Sequence, residues 1–508
     1  MRKYKYWALY KANDELKFDY TKPKTLNLLF FKKILSISIR LNHTMKGFLL
    51  CVLFLGLSFQ GRSQQVLVSD ELSLKNDFAY FLVPHRESCL LIRDKAFKLV
   101  VQSLNDQLNW SSEHSIELKG KKWKLIEVVE HQDQIGIFYL AKEENESALW
   151  YSVFSSTGEA ISHRALIRKR ELIYEKGFKI TKSEDSRWFC LGFGTSKGER
   201  ELLLYQREQD SVYFAIKTKE LAEVERETVK EMVVSNEGHL FMLGMKEDGS
   251  FMKHKLVLQL FEYGSKLDLL RQQKLEFSDN IPSDIQLSFH NLKNQFTLVG
   301  LYLDKKEEIA GFFYYIWKDG FQTKFTKLSE ELIKKWTGKN SYKHVDLITQ
   351  SLRWKVDGSL ILFCESNKQY HRRPYFATAD QMNMSSKWVD YYFDEVIVAC
   401  FDHNGDQEWS DVLFKKQFSQ DDEGYYSSFF IVETKDFFRI LFNDEIKSQS
   451  TVSEYILSPS GKNIRKSVLN TTQQKLQLRI VDALQRNADR VIIPSEVDGK
   501  LQIVQIDF

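Results

Sequence analysis

The chain has 508 residues, with 72 Lys or Arg against 69 Asp or Glu, a net charge of +3, only 6 Pro and 14% aromatic residues. That length exceeds what one ordinary core serves, so several domains or a repeated core is required. Mixed charge close to balance excludes the basic footprint of a nucleic-acid surface, and no such partner is expected.

The first 44 residues carry ten Lys or Arg against three acidic residues, a net of +7. Met45 then opens a different pattern: Lys46, an apolar run from Phe48 to Phe59, and Gln60-Gly61-Arg62-Ser63. A charged start, a short apolar stretch and small residues at −3 and −1 describe a secretory signal peptide cut before Gln64. The run is about half of the ~20 residues needed to span a bilayer, so no membrane span is expected in the mature chain. Cys51 follows Leu50 and lies too early in the run for a lipid anchor. A cleavable signal does not sit behind 44 extra residues, so residues 1–44 are read as outside the native product, 45–63 as the signal and 64–508 as the folded unit. Taking the +7 of residues 1–44 and the +2 of Lys46 and Arg62 from +3 leaves the remainder at −6. The expected location is the periplasm or cell envelope, or beyond it.

From Gln64 onward short apolar runs alternate with turn signals, and helical periodicity is almost absent. Unit 1 covers about 76 to 118, with a turn near Asn105-Asp106. Unit 2 runs through WKLIEVVEHQDQIGIFYLA and ALWYSVFSSTGEAISHRAL, unit 3 through FKITKSEDSRWFCLGFG and ELLLYQREQDSVYFAIK. Unit 4 reads EMVVSNEGHLFMLGM then KLVLQLFEYGSKLDLLRQQ, and unit 5 IQLSFHNLKNQFTLVGLYL then GFFYYIWKDGFQTKFTKL. Unit 6 has strands at Leu352-Val356 and Leu360-Cys364 around Asp357-Gly358, then Val396-Asp402 and Glu408-Phe414 around Asn404-Gly405. Unit 7 reads SSFFIVETKDFFRILF then SEYILSPSGKNIRKSVL, and unit 8 offers only QLRIVDAL, RVIIPSE and LQIVQIDF. Two tight hairpins in series make a four-stranded meander. Eight units of about 56 residues match a propeller blade period. The fold class expected is all-β, a β-propeller of seven or eight four-stranded blades, with tandem β-sandwiches as the alternative. The run Gln65-Leu72 is expected to supply the strand that unit 8 lacks and so close the ring.

Four cysteines remain, Cys89, Cys190, Cys364 and Cys400, all in apolar strand contexts. Free buried thiols are expected, with Cys364 and Cys400 the one pair near enough in strand order to bridge. Asp402-His403-Asn404-Gly405-Asp406 offers oxygen ligands, but its Gly stands at position 4 rather than 6 of a calcium loop, so it reads as a hairpin turn. Gly192 to Gly198 lacks both dinucleotide and P-loop spacing. The histidines are scattered without close pairs, and no metal or cofactor is expected. Neither a G-x-S-x-G elbow nor an H-E-x-x-H helix is present.

The stretch from Tyr391 to Ser428, YYFDEVIVACFDHNGDQEWSDVLFKKQFSQDDEGYYSS, combines an apolar strand, a D-x-N-G turn, a Trp, a basic-polar tail and an acidic Gly-Tyr loop. It resembles uncharacterised exported β-propeller-like repeat proteins of Gram-negative bacteria, and GLYLDKKEEIAGFFYYI adds a fainter likeness. The resemblance covers under a tenth of the chain; it implies an exported repeat protein and carries no catalytic residue.

One break in the repeat points to a site. Ser366 to Phe393 spans 28 residues between the second and third strands of unit 6. Long loops in compact domains are usually functional, and this one is aromatic and basic. Propeller topology places it on the same face as the connections Lys415-Tyr426 and Lys334-Asp346. The candidate binding residues are Tyr370, His371, Arg372, Arg373, Trp388, Asp421, Asp422 and Tyr425, with Arg372 and Arg373 facing Asp421 and Asp422. The expected function is a non-catalytic scaffold holding a protein or glycan. The alternative is a hydrolase or lyase acting on a glycan in the central funnel, through Asp or Glu acid and base.

Overall fold

A computed structural model describes residues 64–508, apart from 218–227, 249–254, 339–345, 373–388 and several shorter stretches. The leader reading, residues 1–63, falls outside the described residues.

The sheets divide into eight blades, each a meander in which consecutive strands are antiparallel neighbours. Blades 1 to 7 occupy residues 77–116, 122–169, 173–217, 228–276, 281–327, 347–413 and 430–470. Blade 8 takes three strands from the C-terminal end (Leu484–Asn487, Arg490–Val497, Lys500–Asp507) and its outermost strand from Gln65–Val68. Gln65 pairs with Asp507 and Val68 with Val504, and Leu72–Ser73 extends the same edge against Leu501 and Lys500. The N-terminal segment therefore closes the ring as the missing strand of unit 8 required.

The hydrophobic core is distributed between blades. Eight apolar clusters each join one blade to the next, from blades 1 and 2 (Leu90 and Ile92 against Ile137 and Tyr139) round to blades 8 and 1 (Ile492 and Ile503 against Leu91 and Leu104). That cyclic chain of contacts is a single ring of eight blades, which excludes tandem sandwiches. The third strand of blade 6 shows the logic. Ile397, Ala399 and Phe401 pack toward blade 5, while Val396, Val398 and Cys400 pack toward blade 7. A sheet covered on both faces must be apolar at every position, which is why these strands read as continuous runs. Each such buried side chain contributes about 1.5–3 kcal/mol.

Cys89, Cys364 and Cys400 are buried free thiols, and Cys190 is buried in the same way. Cys364 points toward blade 5 and Cys400 toward blade 7, so the one pair that strand order allowed is kept apart by the sheet itself.

Three local readings need correction. QLRIVDAL is not the first strand of unit 8. Leu478 makes a single bridge to Ser495, Ile480–Asp482 forms a 3-10 turn, and the strand begins at Leu484. The run is apolar because Leu478 and Ile480 pack between blades 7 and 8. The connection after blade 5 contains a helix, Glu330–Thr337. Ser329 caps its N-terminus by accepting from Leu332 N (3.1 Å), and Gly338 ends it at φ +69°. Its Leu332 and Trp336 bury against the core shared by blades 5 and 6.

The third correction concerns the unit 6 insertion, whose described ends are strand rather than loop. The second strand of blade 6 runs Leu360–His371 and the third Val389–Phe401, so their paired ends pass beyond the blade. A further strand, Gln417–Gln420, pairs with Asp390 to Phe393 and widens this extension into a three-stranded ribbon.

Candidate functional site

The ribbon is built on a buried ionic base. Lys415, 4% exposed, places Nζ 2.6 Å from Oε1 of Glu365, which is fully buried, and donates to Phe393 O (2.9 Å) and Gln417 Oε1 (2.8 Å). Glu365 Oε2 accepts from Ser428 Oγ (2.7 Å) and Gln350 Nε2 (2.6 Å). Gln417 Nε2 donates in turn to Ser428 O and Asn443 O, tying the ribbon to blade 7. Burial lowers the Lys415 pKa from its usual value, and Glu365 acts against that shift. A cation this deep is tolerated because Glu365 compensates its charge and two of its N–H groups meet acceptors.

Above the base the two faces of the ribbon differ, because side chains alternate along each strand. One face turns Gln417, Ser419 and Phe393 inward. The other carries Lys368, Tyr370 and Arg372, then Asp390 and Tyr392, then Phe418 and Gln420. Tyr370 stands edge-on to Tyr392 with centroids 5.6 Å apart, and Tyr392 lies 4.9 Å from Phe418. Tyr370 is 56% exposed and Phe418 36%, so the row of three rings crosses all three strands at the surface.

Arg372 sits just past the second strand and bridges two carboxylates, Nε to Asp390 Oδ1 (2.8 Å) and Nη2 to Asp421 Oδ2 (2.7 Å). Asp421 Oδ1 also accepts from Val389 N (2.8 Å). That backbone bond, with Arg372 adding to it, holds the Asp421 carboxyl below the usual range. Asp422 plays a different part: it accepts from Ser419 Oγ (2.8 Å) and Gly424 N (2.9 Å), and burial raises its pKa. The expected facing of arginine and aspartate pairs is thus met by Arg372 with Asp421, while Asp390 takes the second position and Asp422 caps a turn. His371 is exposed at the end of its strand. Arg373 and Trp388 lie outside the described residues.

Tyr425 belongs to a second cluster. The Arg479 guanidinium lies between the rings of Tyr425 (4.5 Å) and Tyr80 (5.2 Å). It also pairs with Asp482 (2.6 Å) and Glu496 (2.8 Å). Tyr425 OH donates to Glu423 (2.9 Å) and Tyr426 OH to Glu496 O (3.1 Å). This stack ties the connection after blade 6 to blades 8 and 1, so the half-buried Tyr425 belongs to it rather than to the ribbon's aromatic row.

The connection before blade 6 reaches the ribbon as its topology required, with Asn367 N donating to Asp346 O (2.8 Å). Sequence reasoning missed Tyr392, Phe418, Lys415 and Glu365 as parts of the site. Alternation of Phe414, Lys416, Phe418 and Gln420 with Lys415, Gln417 and Ser419 was the available signal for a strand there.

The funnel reading needs uncommitted carboxylates on the inner strands. Two carboxylates there are engaged: Asp284 accepts from Thr349 N (2.5 Å) and Oγ1 (2.7 Å), and Glu433 pairs with Arg353 (2.6 Å). Among the described residues no group of three or more His, Cys, Asp or Glu is placed to hold a metal ion. The Asp402 loop is a turn, its Oδ1 accepting from Asn404 N (2.9 Å) and Asp406 N (2.8 Å). Among the described residues no helix is long and apolar enough to cross a membrane.

No family model matches the chain, and no curated protein matches it. Solved structures are similar to it at low identity and low TM-score. The WD40 domain of SCAP from fission yeast is 9% identical with a TM-score of 0.38, covering 88% of this chain and 98% of that one. The β-propeller domain of the trilobed protease from Pyrococcus furiosus is 11% identical with a TM-score of 0.37, covering 77% and 95%. TolB from Acinetobacter baumannii is 10% identical with a TM-score of 0.28, covering 74% and 78%. The class is that of all-β, eight-bladed propellers, read directly from the closed ring of antiparallel blades.

Proposed function

We propose that residues 64–508 form an exported, non-catalytic binding scaffold whose working face is the outer face of the blade 6 ribbon. One observation carries the reading: Tyr370, Tyr392 and Phe418 form an exposed row of rings on a ribbon fixed below by a buried ion pair and at its tip by Arg372. Rigid aromatic rings offer large contact area at low entropic cost, and charge of both signs beside them supplies orientation. The partner class is a protein surface or a glycan, both of which stack on such rings. Tyr370→Ala combined with Tyr392→Ala should leave the melting temperature within a few degrees of wild type, since Tyr370 is exposed and Tyr392 only partly buried. The same variant should lose a partner that wild type retains from envelope extract or on a glycan array. Equal retention by a folded variant would move the site elsewhere.

Export rests on the Met45 to Ser63 pattern, and a Gram-negative envelope is what the resemblance around 391–428 implies. The secreted product should begin at Gln64. Intact mass of envelope material checks this, and a product retaining Lys46 would sink it.

A further inference from the structure

Among the described residues, the strand Gln417–Gln420 pairs on one side only, with Val389–Phe401. Asp421 N donates to Val389 O (3.0 Å), so the odd-numbered residues of this stretch face the ribbon's middle strand in the ladder. In an antiparallel pair the alternate residues then direct N–H and C=O to the open side. Phe418 and Gln420 are those residues.

Open strand edges are normally guarded by charge. The outer strands of blades 2, 4 and 7 carry such guards in Arg164 and Arg168, Arg271 and Lys274, and Arg465 and Lys466. Gln417-Phe418-Ser419-Gln420 carries none, and it exposes Phe418 (36%) beside Phe414 (41%). The charges stand at its two ends instead, Lys416 before it and Asp421, Asp422 and Glu423 after it.

We propose that this edge is a self-association surface, on which a second copy of the chain adds its own Gln417–Gln420 strand, antiparallel, about a two-fold axis through Phe418. A two-fold contact uses the same patch on both copies. In this register Phe418 meets Phe418 of the second copy, and Lys416 stands opposite Gln420. Each basic end then lies at the acidic end of the other copy, whereas parallel pairing would set Lys416 against Lys416. The outward N–H and C=O groups of Phe418 and Gln420 gain partners, and the two ribbons become one six-stranded sheet. A four-residue edge buries far less than the ~1,200–2,000 Å² of a stable interface, so the dimer is reversible, with Kd on the order of 100 μM. The edge shares Phe418 with the aromatic row, so the test reads the mass of the chain alone, with no partner of that row present.

Sedimentation equilibrium of the purified chain tests it, with concentration raised from about 1 μM to about 1 mM across the expected Kd. The weight-average mass should rise toward twice the monomer. Phe418→Pro removes the outward N–H and no bond to Val389–Phe401, a placement that edge strands accept. It should weaken association at least ~10-fold with an unchanged melting temperature. If that variant loses the ribbon, Lys416→Glu replaces it, since it sets acidic end against acidic end and should weaken association several-fold without touching the ladder. A wild-type chain that stays monomeric throughout, or folded variants that dimerise like wild type, overturns the proposal.

Discussion

Removing the cation beneath the ribbon should be the most costly single change on this face of the protein. Lys415→Met leaves Glu365 fully buried with its charge uncompensated, and leaves Phe393 O and Gln417 Oε1 without their donor. Breaking a buried pair from one side costs about 3–5 kcal/mol. At about 2.1 cal/mol/K per residue, residues 64–508 unfold with an entropy of ~0.9 kcal/mol/K, so the melting temperature should fall by about 3–5 °C. Arg372→Ala provides the contrast. Its ion pair with Asp421 is 34% and 45% exposed at the two side chains. Exposed pairs add little stability, so this change, which also releases the partly buried Asp390, should lower the melting temperature by about 1–2 °C. Combining Lys415→Met with Glu365→Leu should cost less than the two single changes added together, because no charge is then stranded. Calorimetry on wild type and these four variants decides the matter. A Lys415→Met melting temperature within 1 °C of wild type would refute the claim that this pair holds the ribbon to its blade.

Other expectations concern the blades themselves. Burial, with Arg207 adding to it, lowers the His131 pKa to about 4. The unfolded chain, at the usual value near 6.5, therefore takes its proton first, so this stability is present above pH 6.5 and lost as pH falls toward 4. His131 is only partly buried, so the loss discounts to roughly 1–2 kcal/mol. His85 and His163 are lowered in the same direction by burial. NMR titration of the His131 ring should give a midpoint near 4, and a midpoint near 6.5 would contradict the packing around Tyr151 OH, 2.7 Å from its Nδ1. Burial also pushes the Cys89 thiol up to about 12 and Cys364 well above the usual range. Both should resist alkylation at pH 8 in the folded chain and react after denaturation, as read by peptide mass mapping. Gly405 stands at φ +81°, where an added Cβ would meet Tyr314 Cδ1 at 2.5 Å. Gly405→Ala should cost about 1–3 kcal/mol in chemical denaturation. Calcium should leave the wild-type melting temperature unchanged, because Asp402 already accepts two backbone N–H groups.

The repeat was legible in the sequence because blades are made of local contacts. Apolar runs broken by Asp357-Gly358, Asn404-Gly405 or Ser460-Gly461 specify hairpins between residues a few positions apart, and such hairpins form wherever the chain places them. Even ring closure could be read, since a three-stranded last unit leaves an edge that only Gln65 to Leu72 can fill. The place of the ribbon along the chain was legible too, as a break in the repeat at Ser366 to Phe393. Its construction was not. Lys415-Lys416 reads as two surface lysines, yet Lys415 is 4% exposed, because its partners come from Glu365, 50 positions earlier, and from Phe393 on the ribbon's middle strand. Tyr425 reads as a loop aromatic, yet it packs on Arg479, 54 positions later, which also stacks on Tyr80 of blade 1. QLRIVDAL has a strand's composition and serves as packing between two blades, because apolarity records burial and not the backbone that achieves it. The helix Glu330–Thr337 was hidden by its length, since two turns are too short for periodicity to show, although Ser329 and Gly338 marked its ends. Local pattern fixes strands and turns; which side chains meet across a ring is set only when its last strand closes it.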